Sequence, residues 1–386
     1  MQNIRLRVFL TSRPEISIRY GFNQVPDEAV EYFVLHSISR SIVDHDIFIF
    51  LEYNLRLIGQ EDAQEPGWPG LEAIRRLVEI ASGLFIWAAI GCRFIREGLS
   101  TEERLRIILE GDSASSTPED HLNGIYITVL RNSIQTSYIE KERQMLCGML
   151  RELLGCIVIL FSPLSVVSLS RLLYTTKQQV NRTLKNIHAI LEIPKDETYP
   201  LRLHHPSFRD FLLDSNRCRD TNFQVNDRQM HQKIAARCIQ LMSESLKQDI
   251  CGLDAPGTLI SDIHSSRVNR SLPPELQYAC LHWIQHLHRS RAQLHDNDLV
   301  HQFLQKHLLH WLEALGWMRK VSEGIYAIST LESIAAVSQP ILFERLEIHT
   351  DTGWVLGCSR LRQYREFRCY DIPIGLIYNL SMTLIS

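Results

Sequence analysis

One segment sets the terms for this chain. Ile4, Leu6, Val8 and Leu10 alternate with Arg5, Arg7, Phe9 and Thr11. A period of two predicts a strand, closed by Thr11-Ser12-Arg13-Pro14. A lone strand cannot bury its faces, so it implies a sheet. Yet no other strand-rich run follows for well over a hundred residues. Either the strand pairs with something distant, or the rest of its sheet lies outside these residues.

Beyond it the pattern is helical. Residues 28–58 carry two helical runs, the second starting at Asp46 with Ile47, Leu51, Leu55 and Leu57. A polar loop at 59–67 leads to Trp68-Pro69-Gly70. Leu71, Ile74, Leu77, Ala81, Leu84, Ala88, Cys92 and Ile95 then keep a helical period. Gly83 inside that run costs about 1 kcal/mol against Ala, which points to a local break or a close backbone contact there. Residues 111–120 read as a linker, and 121–161 as a helical block.

A short helix over 164–174 and another carrying Val180, Leu184 and Ile187 come next. Ile190–Ile193 and Leu201–His204, split by a polar turn, predict a two-stranded hairpin. Helix, helix, hairpin is the winged-helix order. Ser207–Leu212 predicts a helix that buries Phe208, Phe211 and Leu212 and exposes Arg209 and Asp210. Everything from 226 to about 338 reads helical, with Pro274 opening one element, and the period is lost after 340.

Several function classes are disfavoured. Lys plus Arg is 41 and Asp plus Glu is 44, a formal charge of −3, where a nucleic-acid or anionic-membrane binder should be visibly basic. Residues 151–215 hold eight basic and six acidic residues, a weak balance for neutralising phosphate. The nine cysteines are scattered with no C-x-x-C, which argues against disulfides or a zinc knuckle and for a reducing, cytoplasmic setting. The apolar run Ile80–Cys92 is 13 residues, and a membrane span needs about 20. His282 and His286 share a helix face at metal-binding spacing, but no third ligand joins them, so no metal site is assigned. No G-x-x-x-x-G-K-[ST] phosphate loop occurs in the 386 residues, and no catalytic residue is assigned.

Four segments together resemble the NACHT module of fungal STAND-class proteins of the heterokaryon (vegetative) incompatibility type. Arg7–Glu15 is similar to that family's sensor strand, which ends in Thr-Ser-Arg-Pro, and the resemblance implies a place for Arg13 beside the γ-phosphate. Trp68, Pro69 and Gly70 through Gly83-Leu84-Phe85 look like its helical lid. His205-Pro206-Ser207-Phe208-Arg209-Asp210-Phe211-Leu212 is similar to its winged-helix motif, which implies that His205 contacts ADP phosphate. Tyr278, Trp283, His286, Phe303 and Trp311 match its second helical domain.

The resemblance implies a mainly α fold with a small β component. It divides into a sheet-strand remnant (1–20), a helical lid (21–112), a winged helix with a leading helix (113–225), a second helical domain (226–338) and an irregular tail (339–386). The family's phosphate loop and Mg²⁺-binding acidic motif would precede Met1. The expectation is therefore a regulatory or interaction fragment of a switch, with no cofactor of its own. ATP, ADP or GTP with Mg²⁺ would belong to the intact family. The expected partners are proteins, a full-length NACHT relative among them, and neither nucleic acid nor membrane. The alternatives are a winged-helix nucleic-acid module, or part of an NTP-hydrolysing switch with a longer N-terminus.

Overall fold

The computed structural model describes residues 8–11, 16–22, 24–26, 38–111, 117–134, 139–253 and 264–338, and two residue pairs at 348–349 and 355–356. The fold is mainly α with a small β component. Its first elements are α1 (Ile16–Phe22), α2 (Arg40–Glu61), α3 (Leu71–Ala81), α4 (Phe85–Arg96), α5 (Thr101–Glu110) and α6 (Pro118–Ser133). Next come α7 (Glu140–Ile159), α8 (Val166–Leu172), α9 (Lys177–Leu184), β1 (Leu191–Glu192), β2 (Arg202–Leu203) and α10 (Ser207–Leu213). The chain continues with α11 (Asp227–Ser245), α12 (Ser265–Ser271), α13 (Pro274–Ser290), α14 (Leu299–Trp317) and α15 (Val321–Ser338), then β3 (Ile348–His349) and β4 (Val355–Leu356).

The strand expected over 4–10 is not formed where the chain is described. Residues 8–11 have no regular structure, and Val8, Phe9 and Leu10 are exposed. Alternation supplies a strand face, but a strand also needs a neighbour to satisfy its N–H and C=O groups, and none of the described residues pairs with it. Residues 4–7 and Arg13 lie outside the described residues.

α2 to α6 pack as one group. Ile47, Leu51, Leu55 and Ile58 form the buried stripe of α2, against Ile74, Leu77 and Ile80 of α3 and Trp87, Ile90 and Phe94 of α4. α2 starts at Arg40 and not at Asp46, which is exposed on its outer side. Most of the first helical run expected over 28–58 lies outside the described residues.

The helical run expected over 71–95 is broken at Ser82 (φ 51°) and Gly83 (φ +79°). The break lets α4 fold back on α3. Arg40 Nη2 donates to Ser82 Oγ at 3.2 Å, and a Cβ at Gly83 would lie 3.3 Å from the same guanidinium. The break anticipated for the glycine is therefore present, and its close neighbour is the Arg40 side chain. The linker expected to reach 120 ends sooner: Thr117 caps α6 by accepting the Asp120 N–H, and Pro118 opens the first turn. The block expected over 121–161 is two helices, α6 and α7.

In the hairpin, Leu191 stands opposite Leu203 and Glu192 opposite Arg202, antiparallel. Its outer edge is covered: the Leu201 N–H donates to Leu164 O at 2.9 Å, and Ser165 bridges Pro200. α10 buries Phe208, Phe211 and Leu212 and exposes Arg209 and Asp210, as its sequence predicts.

α11 and α13 form the most extensive helix pair. α7 and α8 rest on that pair, as do α14 and α15. Trp283 meets Phe303 and Trp311 edge-on, at ring-centroid distances of 5.5 and 5.6 Å, and the Trp311 indole N–H donates to Cys280 O at 2.9 Å. No helix among the described residues is long and apolar enough to cross a membrane.

Two glycines test this geometry. Gly83→Ala puts a side chain on a left-handed backbone and should cost about 1–2 kcal/mol. Gly148→Ala, inside α7 with open space at its Cβ, should stabilise by about 0.5–1 kcal/mol. Urea unfolding midpoints of the two variants should move in opposite directions.

Candidate functional site

The site to examine is the junction where the hairpin runs into α10 and meets α6. The His204 N–H donates to Ile190 O at 3.1 Å, so the ladder extends one residue beyond β2. The His204 ring folds back, with Nε2 donating to His188 O at 2.9 Å. Burial first, and then the Arg93 charge on α4, hold His204 below the usual imidazole range.

His205 turns the other way, towards α10. Its Nδ1 accepts the Ser207 N–H at 3.2 Å and lies 2.6 Å from Ser207 Oγ. An Nδ1 that accepts a backbone N–H carries no proton, so in the neutral ring the proton sits on Nε2. Ser207 Oγ lies 2.8 Å from Tyr126 Oη of α6. The consistent order is Tyr126 O–H to Ser207 Oγ, and Ser207 O–H to His205 Nδ1.

Tyr126 is 1% exposed and packs on Phe208 and Phe211 at ring-centroid distances of 5.0 and 5.3 Å. Burial pushes its phenol above the usual tyrosine range, so it stays a donor at neutral pH. Two further contacts secure α6 to the chain after α10. Arg131 Nη2 pairs with Asp220 Oδ2 at 2.9 Å, and Arg217 Nε donates to Asn123 Oδ1 at 3.1 Å. Asn186 Nδ2 also reaches Ser133 O at 3.1 Å. α6 thus belongs to the α2–α6 group by packing and to the hairpin–α10 segment by hydrogen bonding. Sequence reasoning missed Tyr126, because its spacing from Leu122 and Val129 marks it only as a buried position.

The remaining predicted residues lie elsewhere. Trp68 and Pro69 precede α3, far along the chain from His205. The Trp68 indole N–H donates to Glu102 Oε2 at 2.7 Å, and its ring lies over Gly59, where an added Cβ would come within 3.0 Å. Beside it, Thr101 Oγ1 donates to Asp62 Oδ2 at 2.6 Å and accepts from Gln64 Nε2 at 3.0 Å. The Thr101 hydroxyl first, and then Gln64 Nε2, which also donates to Asp62 Oδ2 at 3.1 Å, hold the Asp62 carboxyl below its usual range. Trp68 and Gly83 shape the first helical group, and Phe208 and Phe211 are packing residues of the junction.

α9 presents Lys177, Gln178, Asn181, Arg182 and Lys185, the residues a nucleic-acid reader would use. Two of them are committed to Glu197 in the hairpin turn: Asn181 Nδ2 at 2.6 Å and Lys177 Nζ at 3.2 Å. The basic face is therefore partly neutralised from within. A groove of about 140 Å³ beside it, lined by Met149, Leu153, Gln179 and Val180, is below the roughly 300 Å³ of ordinary small-molecule sites. Among the described residues no group of three His, Cys, Asp or Glu could hold a metal ion. His282 pairs with Gln285 at 3.0 Å, and His286 with Tyr278 at 2.6 Å and His231 at 2.7 Å, so the pair at metal-binding spacing is engaged elsewhere.

Comparison with known proteins adds one relative. The chain is 26% identical over 279 residues to vegetative incompatibility protein HET-E-1 of Podospora anserina, covering 66% of this chain and 19% of that protein. It is a distant relative of an incompatibility protein and spans about a fifth of that protein's length. No protein-family model matches the chain. No solved structure matches it.

The junction can be tested by substitution. Tyr126→Phe removes one hydrogen bond and should cost about 1 kcal/mol. Ser207→Ala leaves the Tyr126 hydroxyl buried without that partner and should cost about 1–3 kcal/mol. A double-mutant cycle on thermal unfolding should show coupling between the two, and equal, additive losses would contradict the relay.

Proposed function

We propose that this chain is a regulatory and interaction segment of a NACHT-type switch acting in vegetative incompatibility, in the cytoplasm, without NTP hydrolysis of its own. The observation that carries the reading is the α6 bridge. Tyr126–Ser207–His205, Arg131–Asp220 and Arg217–Asn123 tie a helical group to a hairpin–helix segment through polar contacts. The polar contacts surround a buried Tyr126–Phe208–Phe211 centre, and interfaces of such mixed character exchange partners more readily than wholly apolar ones, which suits elements that move against each other. The distant relationship to HET-E-1 supports the incompatibility setting.

On this reading 21–112 is the lid, 113–225 the winged helix with its leading helix, and 226–338 the second helical domain. Arg13 and His205 are the positions that would sense nucleotide phosphate in a complete switch. The phosphate loop motif is absent from these 386 residues, so binding strength would come from a partner. That partner is a longer protein of the same kind.

Calorimetry with ATP and ADP, with and without Mg²⁺, should show no saturable binding up to millimolar nucleotide. Micromolar, Mg²⁺-dependent binding would overturn the reading. Sedimentation of the chain with a purified longer relative should show a joint species. Duplex DNA in a gel-shift salt series should show no salt-dependent complex.

A further inference from the structure

A line of buried polar side chains runs through the seam where α7 ends against α11 and α13. Asp227 and His231 lie one turn apart on α11; Tyr278, His282 and His286 follow at four-residue steps on α13. His286 is 0% exposed, His231 2% and Tyr278 3%. The Phe161 N–H, just past the end of α7, donates to Tyr278 Oη at 3.3 Å. Tyr278 Oη lies 2.6 Å from His286 Nε2, and His286 Nδ1 lies 2.7 Å from His231 Nδ1. His231 Nε2 faces Asp227 Oδ1 at 3.4 Å. The Phe161 ring lies tilted beside both imidazoles, 4.7 Å from His286 and 5.9 Å from His231 by ring centroids.

One order of protons satisfies every contact. Tyr278 accepts from Phe161 and gives its single proton to His286 Nε2. His286 then carries its proton on Nδ1 and donates to His231 Nδ1. His231 carries its proton on Nε2, facing the Asp227 carboxylate. The opposite direction would set a bare His231 Nε2 lone pair against that carboxylate. Each ring holds one proton; a second on His231 would set N–H against N–H across 2.7 Å, and a second on His286 would set N–H against the Tyr278 hydroxyl proton across 2.6 Å.

We propose that this one-way hydrogen-bond chain is an acid-released latch: it seats α13 on the exit of α7 while both imidazoles are neutral and opens when either takes a second proton. The bonds run in series through one seam, so loss of one weakens its neighbours. The charged and titratable groups that face it come from α7, α10, α11 and α13. α11 supplies Asp227 and the Cys238 thiol, and α13 supplies His282 and Arg289. α10 supplies Arg209 and α7 the Cys156 thiol. Arg171 of α8 is held by Glu275 of α13 at 2.6 Å. Asp227 is the acidic member of the set that faces the rings, and Arg209, Arg289 and His282 oppose a charged ring.

Burial, then His231, then His282 push His286 down to about 2. Burial also lowers His231, with Asp227 pulling back. Both folded values lie below the unfolded imidazole value of about 6.5. The unfolded or opened state therefore binds more protons in this range. The stability contributed by the neutral chain is complete above about pH 6.5 and is lost as pH falls below it.

Amide exchange on the full chain at pH 7.5 and pH 5, corrected for intrinsic rates, reads the latch at Phe161 and along α13. Protection there should fall about tenfold or more at pH 5, while α2–α6 keep theirs. Tyr278→Phe should lower Phe161 protection already at pH 7.5. Nitrogen-15 spectra of the unmodified protein should show His286 protonated on Nδ1 and His231 on Nε2. Reversed tautomers, unchanged seam protection at pH 5, or a loss spread evenly over α2–α6 would each overturn the latch.

Discussion

The pairing of α11 with α13 is the contact on which the second half of the molecule rests. Ala235, Cys238, Ala279 and Cys280 are small and buried, so the two helices approach closely along their length. Ile234, Met242, Leu276 and Leu287 close the flanks of the pair, and full burial of each such side chain is worth about 1.5–3 kcal/mol. α7 and α8 then share the pair with α14 and α15. The buried thiols of Cys238 and Cys280 are pushed far above the usual cysteine range, so they act as small apolar fillers rather than reactive groups.

The first half has a different economy. The buried residues of α2–α6 are continuous with the apolar core of the rest, and polar ties to the hairpin–α10 segment add to that packing: hydroxyls, one exposed arginine pairing and two amide contacts. An exposed ion pair contributes about 0–1 kcal/mol, so this seam is specified more by geometry than by strength. The buried Tyr126, packed on Phe208 and Phe211, supplies its apolar centre.

The helices were largely legible from residue spacing, because each buries one face and that face repeats with the helical turn. Val180 and Leu184 marked α9, and Phe208, Phe211 and Leu212 marked α10. Breaks were harder. The sequence period runs through Ser82 and Gly83 because both flanking helices bury the same kind of residue, and only the left-handed backbone there shows that they are two. The alternating run ending at Leu10 failed as a strand where it is described, since pairing is a property of two segments and periodicity reports on one.

His205 was legible as a motif residue, and Tyr126, 79 positions earlier in the chain, was not. The same holds for His231, which reads locally as an ordinary helix position, while His286 stood out for its spacing from His282 and not for a partner on α11. By itself the sequence determined the helical class, the hairpin, the faces each helix buries and the absence of a phosphate loop, because these depend on neighbours a few residues apart. Tertiary structure alone decided which polar groups meet across α6 and α10, and across α7, α11 and α13. A hydrogen bond between residues 55 or 81 positions apart needs both helices in place before its donor has an acceptor.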